Sequence, residues 1–452
     1  MDKFNEYRAL YNNFIYKSYE VKKNNENIEI TFNFEIENLK NFTPTLKIEN
    51  KGIINYDEKI IDNLVFNLGL IELISYWKCT CSKNVIIKCG YLNDEQINWF
   101  KKLYYNGLGE FFYINKIDTN IDDFMNIIID FEETKDYDVN YSGSGNLICV
   151  GGGKDSIVSL ELLKKEDNKI FIVNPKDVTI DCSKTAGYDI SDIIGVKRVI
   201  DSNLLELNSL GFLNGHTPFS SLLAFLSYLT AYLYNKKYIV LSNENSANQS
   251  TVLGTNVNHQ YSKTYEFECD FYNYASKYLK LPILYFSFLR PLNDYQIAQL
   301  FSTFKIYHTV FKSCNVGSKK TPWEWCCKCP KCLFIYSILS PFLYKDELVN
   351  IFGNDLFTNE ELLDIFLELL GLSNNKPFEC VGTIEEMNYA ISKTIKNLKE
   401  KNVELPFLLK YFDEHNLDKK ISNPLEEYND VHNLPEHFEE ILKGVLNDRE
   451  FN

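Results

Sequence analysis

The chain has 452 residues, 45% of them hydrophobic and 24% charged, a composition that belongs to a globular protein and a length that asks for two or three domains. Its 62 acidic residues against 47 basic ones leave a net charge of -15, so the surface should repel polyanions, which speaks against a nucleic-acid partner. With no run of about 18 apolar residues and no secretion signal in MDKFNEYRALYNNFIYK, a membrane span and export are not expected, and the 12 cysteines are expected to be thiols or metal ligands in a reducing cytoplasm.

Residues 1–140 alternate short β-rich runs, 28–34 (IEITFNF) and 85–87 (VII), with helix-like segments at 62–77 and 94–104, which predicts an N-terminal α+β domain. The turn-rich stretch 136–146, DYDVNYSGSGN, predicts a linker. From residue 147 the pattern becomes strand, glycine loop, helix and strand: LICV, GGGKDS, IVSLELLKK and KIFIVN. Two further short apolar runs, 198–200 and 238–241, flank an apolar helix at 220–234. Strands alternating with helices predict an α/β unit over residues 141–300, a doubly wound parallel sheet with its binding loops at the carboxyl ends of the strands. Residues 301–452 read as mostly helical, including 359–370 and 383–400, with an acidic, weakly patterned tail beyond Pro424 that is either a docked helix or a frayed end.

Gly151, Gly152 and Gly153 let backbone N–H groups approach an anion closely, and the helix that begins near Asp155 points its positive end at the same place. Lys154 adds a full charge. The spacing matches neither GxxxxGK[ST] nor GxGxxG. Strand-GGGKDS-helix resembles the SGGxDS pyrophosphate loop of the PP-loop ATP pyrophosphatase superfamily, with Gly151 in place of the usual first serine. That resemblance implies ATP as a substrate and Mg²⁺ as its partner. Asp155 would then orient the Mg²⁺ or a phosphate-bound water, and Ser156 with the glycine amides would hold the β and γ phosphates. Asn174, at the tip of the next strand, is placed to meet adenine or ribose; Asn243, in SNENS after residues 238–241, is either a second ligand-facing residue or part of a polar turn.

Cys326, Cys329 and Cys332, with Cys314 twelve residues upstream of the first, offer four thiolates at spacings that can close a tetrahedral site for structural Zn²⁺. Cys327 leaves the choice of ligands open, and unliganded thiols are the alternative. The knuckle is similar to that of the deazapurine synthases of the same superfamily.

Taken together, LIELISYWK (70–78), GLGEFFY (107–113), NHQYSK (258–263), WCCKCPKCLF (325–334), FECVGT (378–383) and the VGGGKDS loop resemble the MurL family, the ATP-dependent UDP-N-acetylmuramoyl-L-alanyl-L-glutamate epimerases of peptidoglycan synthesis. The resemblance runs from about residue 65 to 385. It implies inversion of the terminal L-glutamate of a UDP-muramoyl dipeptide, with the carboxylate first adenylated and AMP and pyrophosphate released. Another PP-loop adenylating enzyme, deazapurine synthase-like or tRNA-modifying, is the alternative.

The acid and base groups are less well marked. His259 and Lys263 would share one face of a helix near Tyr261, a candidate substrate contact, or would simply be exposed polar residues. His216, in NGHTP, can reach the crevice or serve a helix-entry turn. Cys380 can carry an α-proton as a thiol, or be a small buried hydrophobe. Arg290 can clamp a carboxylate or a UDP phosphate in bidentate fashion, or make an ordinary salt bridge.

Overall fold

In the sequence NIEITFNFEI every second side chain is buried in the computed structural model, which describes residues 3–132, 139–252, 257–373, 376–418 and 421–447. The strands, in chain order, are β1 (Asn13–Lys23), β2 (Asn27–Ile36), β3 (Lys40–Phe42), β4 (Thr45–Glu49), β5 (Asn84–Ile87), β6 (Asn126–Ile129), β7 (Asn146–Cys149), β8 (Asn168–Val173), β9 (Ile193–Val199), β10 (Tyr238–Leu241) and β11 (Leu284–Ser287). They form one mixed, mostly parallel sheet in the order β11-β10-β7-β8-β9-β4-β2-β1-β5-β6, with β3 paired to β2.

The parallel sheet expected after residue 140 is the block β11-β10-β7-β8-β9. It does not stop at that boundary. β4 pairs antiparallel with β9, Thr45 opposite Val199 and Ile48 opposite Val196, so the N-terminal strands extend the same sheet. The run expected at 198–200 is only the tail of β9, which starts at Ile193 because Ile193, Ile194 and Val196 are all buried. Residues 136–138 of the expected linker lie outside the described residues; its described part, 139–146, leads directly into β7.

Buried parallel strands supply side chains to both faces. Leu147 and Cys149 of β7 join one hydrophobic core, and Ile148 with Val150 joins a second. The first core holds the helices Glu58–Trp77 and Phe219–Leu233. The second holds Lys154–Leu162, Asp294–Thr303, Pro330–Leu339 and Ile384–Glu400. Glu58–Trp77 starts at Asp57, whose side chain accepts from the amides of Lys59 and Ile60. Gly69 lets this helix approach β1, because a Cβ there would lie 1.9 Å from the Tyr16 hydroxyl oxygen. By length and composition this helix is long and apolar enough to cross a membrane, yet 89% of its apolar window is buried inside the protein. Beyond β11 the described residues are helical or irregular, as expected. The tail carries a docked helix, Glu436–Asn447, whose Phe438 packs on Phe286 at 4.9 Å between ring centroids.

Candidate active site

β7 is the strand at which the order reverses: β8 and β9 lie on one side of it, β10 and β11 on the other. Such a switch point leaves a crevice at the carboxyl ends of the strands. The glycine loop lies there, between β7 and the helix Lys154–Leu162. Gly152 has φ +84°, and a Cβ on it would come within 3.0 Å of Val178. A Cβ on Gly151 would meet nothing within 4 Å. Gly153 starts the helix with no side-chain cap, so the amides of the first turn keep their capacity to bind an anion.

The loop opens on a cleft of about 330 Å³. Its floor is formed by Gly151, Gly153, Asp155 and Ser156, and its walls include Asn243, Glu244, Lys263, Lys331 and Cys380. Lys263 and Cys380, 117 positions apart in sequence, meet with Nζ 3.1 Å from Sγ. Lys331 donates its Nζ to the Cys380 carbonyl. His259 also neighbours the Cys380 thiol and pairs through Nδ1 with Glu110. Lys263 lies on a single 3-10 turn, Tyr261–Lys263, and not on the α-helix expected; the turn nonetheless brings it and His259 to one thiol.

Charge decides the protonation of this wall. Burial raises the Cys380 thiol, but Lys263, His259 and Lys331 outweigh it and hold the group near about 5. Burial likewise opposes charge on His259, yet Cys380 and Glu110 lift it to about 9. At neutral pH the pair is thiolate and imidazolium. Across the cleft, burial followed by Asp294 and Asp155 raises Glu244 to about 7.

Other expected site residues are placed differently. Lys154 does not extend toward a phosphate: it is buried between the carboxylates of Asp155 and Asp294, so it anchors Asp155 from below. Ser156 lines the cleft while its hydroxyl donates to the Gly153 carbonyl at 2.9 Å. Asn243 also lines it and donates to Ser287 at 3.1 Å. Asn174, at φ +50°, turns away; its side-chain oxygen accepts from the Arg198 amide at 2.8 Å, and it lines a separate groove with Lys176 and Lys197. Arg290 is fully buried and cannot clamp a ligand. It donates to the carbonyls of Glu244 and Lys263 and to the Glu268 carboxylate, holding two cleft residues from behind. Tyr261 is buried against Phe267, with its hydroxyl bonded to Asn106. His216 stacks near His259, ring centroids 4.4 Å apart, and burial with the His259 charge lowers it to about 4.

The four expected cysteines converge. The sulfurs of Cys314, Cys326, Cys329 and Cys332 all lie within 4.8 Å of one another. Cys327, at φ +56°, points away and donates to the Phe352 carbonyl at 3.2 Å. The cluster sets the edge of the cleft, because Ser313, Asn315 and Lys331 adjoin its cysteines and face the cavity.

Glu110, Glu244 and Lys331 were not identified from sequence. Glu110 and Lys331 sit inside the conspicuous strings GLGEFFY and WCCKCPKCLF, which was the only signal they gave.

Comparison with known proteins identifies the family. Residues 5–288 match the MurL N-terminal domain and residues 310–419 the MurL C-terminal domain. A UDP-N-acetyl-alpha-D-muramoyl-L-alanyl-L-glutamate epimerase of Micromonospora sp. is 34% identical over 332 residues, 72% of this chain and 73% of that protein. Proteins of the same name from Salinispora tropica and Xanthomonas oryzae pv. oryzae are 33% and 32% identical, each over 72% of this chain and over 71% and 73% of their own lengths. No solved structure matches. Two family matches that together take in most of the chain, and relatives a third identical over nearly three quarters of it, show that the chain belongs to the MurL family and is an isomerase of the epimerase class.

Proposed function

We propose that this enzyme inverts the α-carbon of the terminal L-glutamate in UDP-N-acetylmuramoyl-L-alanyl-L-glutamate, after adenylating that residue's carboxylate with ATP and releasing pyrophosphate, then AMP. The substrate is the one in the relatives' names. The observation that carries the ATP-dependent route is that the uncapped first turn of the helix Lys154–Leu162 and the Cys380 thiol open on the same cleft.

The two halves of the cleft suit the two halves of the reaction. A proton beside an ionised carboxylate is hard to remove, since a second negative charge would form next to the first. Conversion of the carboxylate to an acyl-adenylate removes that charge and lets the carbonyl oxygen take up the developing one. The glycine amides and the first helical turn receive the phosphate chain. Asp155 is the carboxylate placed to hold Mg²⁺, which when bound would neutralise phosphate charge. Cys380, held as a thiolate, takes the α-proton; Lys263 and Lys331 supply positive charge at the same wall. Reprotonation from the opposite face and hydrolysis of the anhydride complete the inversion. Incubation with ATP, Mg²⁺ and the UDP-muramoyl dipeptide should yield AMP only when the dipeptide is present. AMP formation that ignores the dipeptide, or its absence, would overturn the proposal.

The cysteine cluster is a structural zinc site by the same reasoning from donors. Zinc–sulfur bonds of about 2.3 Å in a tetrahedron put sulfurs about 3.8 Å apart. The pairs Cys314–Cys329, Cys326–Cys332 and Cys329–Cys332 are separated by 3.8, 3.7 and 3.5 Å. Four thiolates would leave no open position, so the metal would brace the cleft edge and take no part in the chemistry. The purified protein should carry one zinc per chain by elemental analysis. Cys326→Ser should lose it and Cys327→Ser should keep it; the reverse pattern would contradict the assignment.

A further inference from the structure

Four segments distant in sequence converge behind the Cys380 wall. Glu110 comes from the first turn of the helix Gly109–Ile114, His216 from the loop before Phe219–Leu233, His259 from the segment before the Tyr261–Lys263 turn, and Cys380 from the loop before Ile384–Glu400. Glu110 meets Nδ1 of His259, and its same oxygen lies 3.5 Å from Nδ1 of His216. His259 in turn bonds the Cys380 thiol. Nothing in the reaction described above uses Glu110.

We infer that Glu110 is a positioning residue: it fixes the orientation of the His259 ring, keeps that ring charged, and so holds Cys380 as a thiolate pointed into the cleft. The inference rests on the reading of Cys380 as the reactive group of this cleft. The geometry has the form of a nucleophile or base oriented by an imidazole that is itself oriented by a third group. An acceptor on Nδ1 requires a proton there, which leaves the other ring nitrogen to serve the sulfur.

The surrounding charges agree. Around Cys380 stand Lys263, Lys331 and His259, all cationic, with Glu379 beside it in the chain. Around His259 stand Cys380 and Glu110, both anionic, and His216. His216 also faces Lys78 and Lys263, whose charges disfavour its own. Of two adjacent imidazoles sharing one carboxylate, burial and repulsion allow one proton, and the ring bonded to the thiol takes it. His216 then stays neutral beside the Glu110 oxygen that His259 holds.

The test is Glu110→Gln, which keeps the shape of the side chain and removes its charge. The rate at which iodoacetamide alkylates Cys380, followed by peptide mass mapping from pH 4 to 9, reports the thiolate directly and does not require turnover or ATP. In the native protein the rate should rise through a midpoint near about 5. In Glu110→Gln the midpoint should move up by at least about one pH unit, and kcat should fall at least about tenfold with KM nearly unchanged. His259→Gln, made alongside, should shift the midpoint in the same direction. If His259→Gln shifts it and Glu110→Gln does not, the inference is overturned. If neither does, the coupling of His259 to the thiol falls as well, while AMP formation with the dipeptide would still stand or fall by its own assay. A metal ion bound by Glu110, His216 and His259 is the competing use of the same atoms. A second equivalent of metal in the native protein that disappears in Glu110→Gln would overturn the inference too.

Discussion

Replacing Cys380 with serine will lower the epimerisation kcat by roughly 10² to 10⁴-fold, the usual loss when a proton-transfer group is removed, while leaving a first turnover of pyrophosphate release intact. The separation follows from the order of the proposed reaction: adenylation, served by the glycine loop and the first turn of the helix Lys154–Leu162, precedes the removal of the α-proton by Cys380. The native pH dependence carries the same signature. Activity needs a thiolate at Cys380 and is lost as pH falls through about 5; it needs the proton on His259 and is lost as pH rises through about 9. In Cys380→Ser the residual activity should lose the acid limb, because a serine hydroxyl does not titrate there. Rapid-quench measurement of pyrophosphate, beside chiral analysis of glutamate liberated from the product by acid hydrolysis and repeated across pH, checks both statements. Equal loss of pyrophosphate release and epimer would remove Cys380 from the proton-transfer step.

Lys154→Met will destabilise the protein by about 3–5 kcal/mol, the cost of removing one partner from a buried ion pair and leaving the other uncompensated. Lys154 is 2% exposed and sits between Asp155 and Asp294, the latter 5% exposed by side chain. Burial favours a neutral Asp155, but Lys154 and then Lys331 outweigh it and hold its carboxyl below the usual carboxylate range. A group depressed in this way contributes stability above its unfolded value, and that contribution is lost as pH falls through the folded value. Urea unfolding at pH 7 should show the deficit. The double variant Lys154→Met, Asp294→Asn should recover part of it, since one stranded charge is removed with the cation. A Lys154→Met protein as stable as the native one would mean that the carboxylates find another partner.

Local chemistry made the glycine loop and the cysteine cluster legible. GGGKDS between a strand and a helix marks a turn that needs glycine at φ +84° and a helix start without a cap, and the structure places both there. The cysteine spacing likewise selected Cys314, Cys326, Cys329 and Cys332; only the backbone at Cys327 could show that its sulfur points elsewhere. Charged residues were read less well, because their roles depend on what stands opposite. Arg290 was expected to meet a ligand, but it lies behind the wall, where its two terminal nitrogens donate to two backbone carbonyls and Glu268. Lys154 was expected at the phosphate and is drawn inward by Asp294, 140 positions away. Beyond its place in GLGEFFY, Glu110 gave no sign of a role because its partner His259 is 149 residues distant. Among the strands, β1 was missed because NFIYKSYEVKK starts with three buried residues and then turns outward, with a register shift between Tyr16 and Ser18 that breaks the alternation. The joining of β4 to β9 had no local signal, since antiparallel register between distant segments is set by packing.

The most direct measurement is turnover of UDP-N-acetylmuramoyl-L-alanyl-L-glutamate by the native protein in deuterium oxide with ATP and Mg²⁺, analysed by chiral chromatography and mass spectrometry of the glutamate liberated from the product by acid hydrolysis, alongside AMP. The account requires D-glutamate that carries deuterium at the α-carbon, formed together with AMP and at no faster a rate. D-glutamate appearing without AMP, or AMP accumulating while the glutamate remains L and unlabelled, would contradict it.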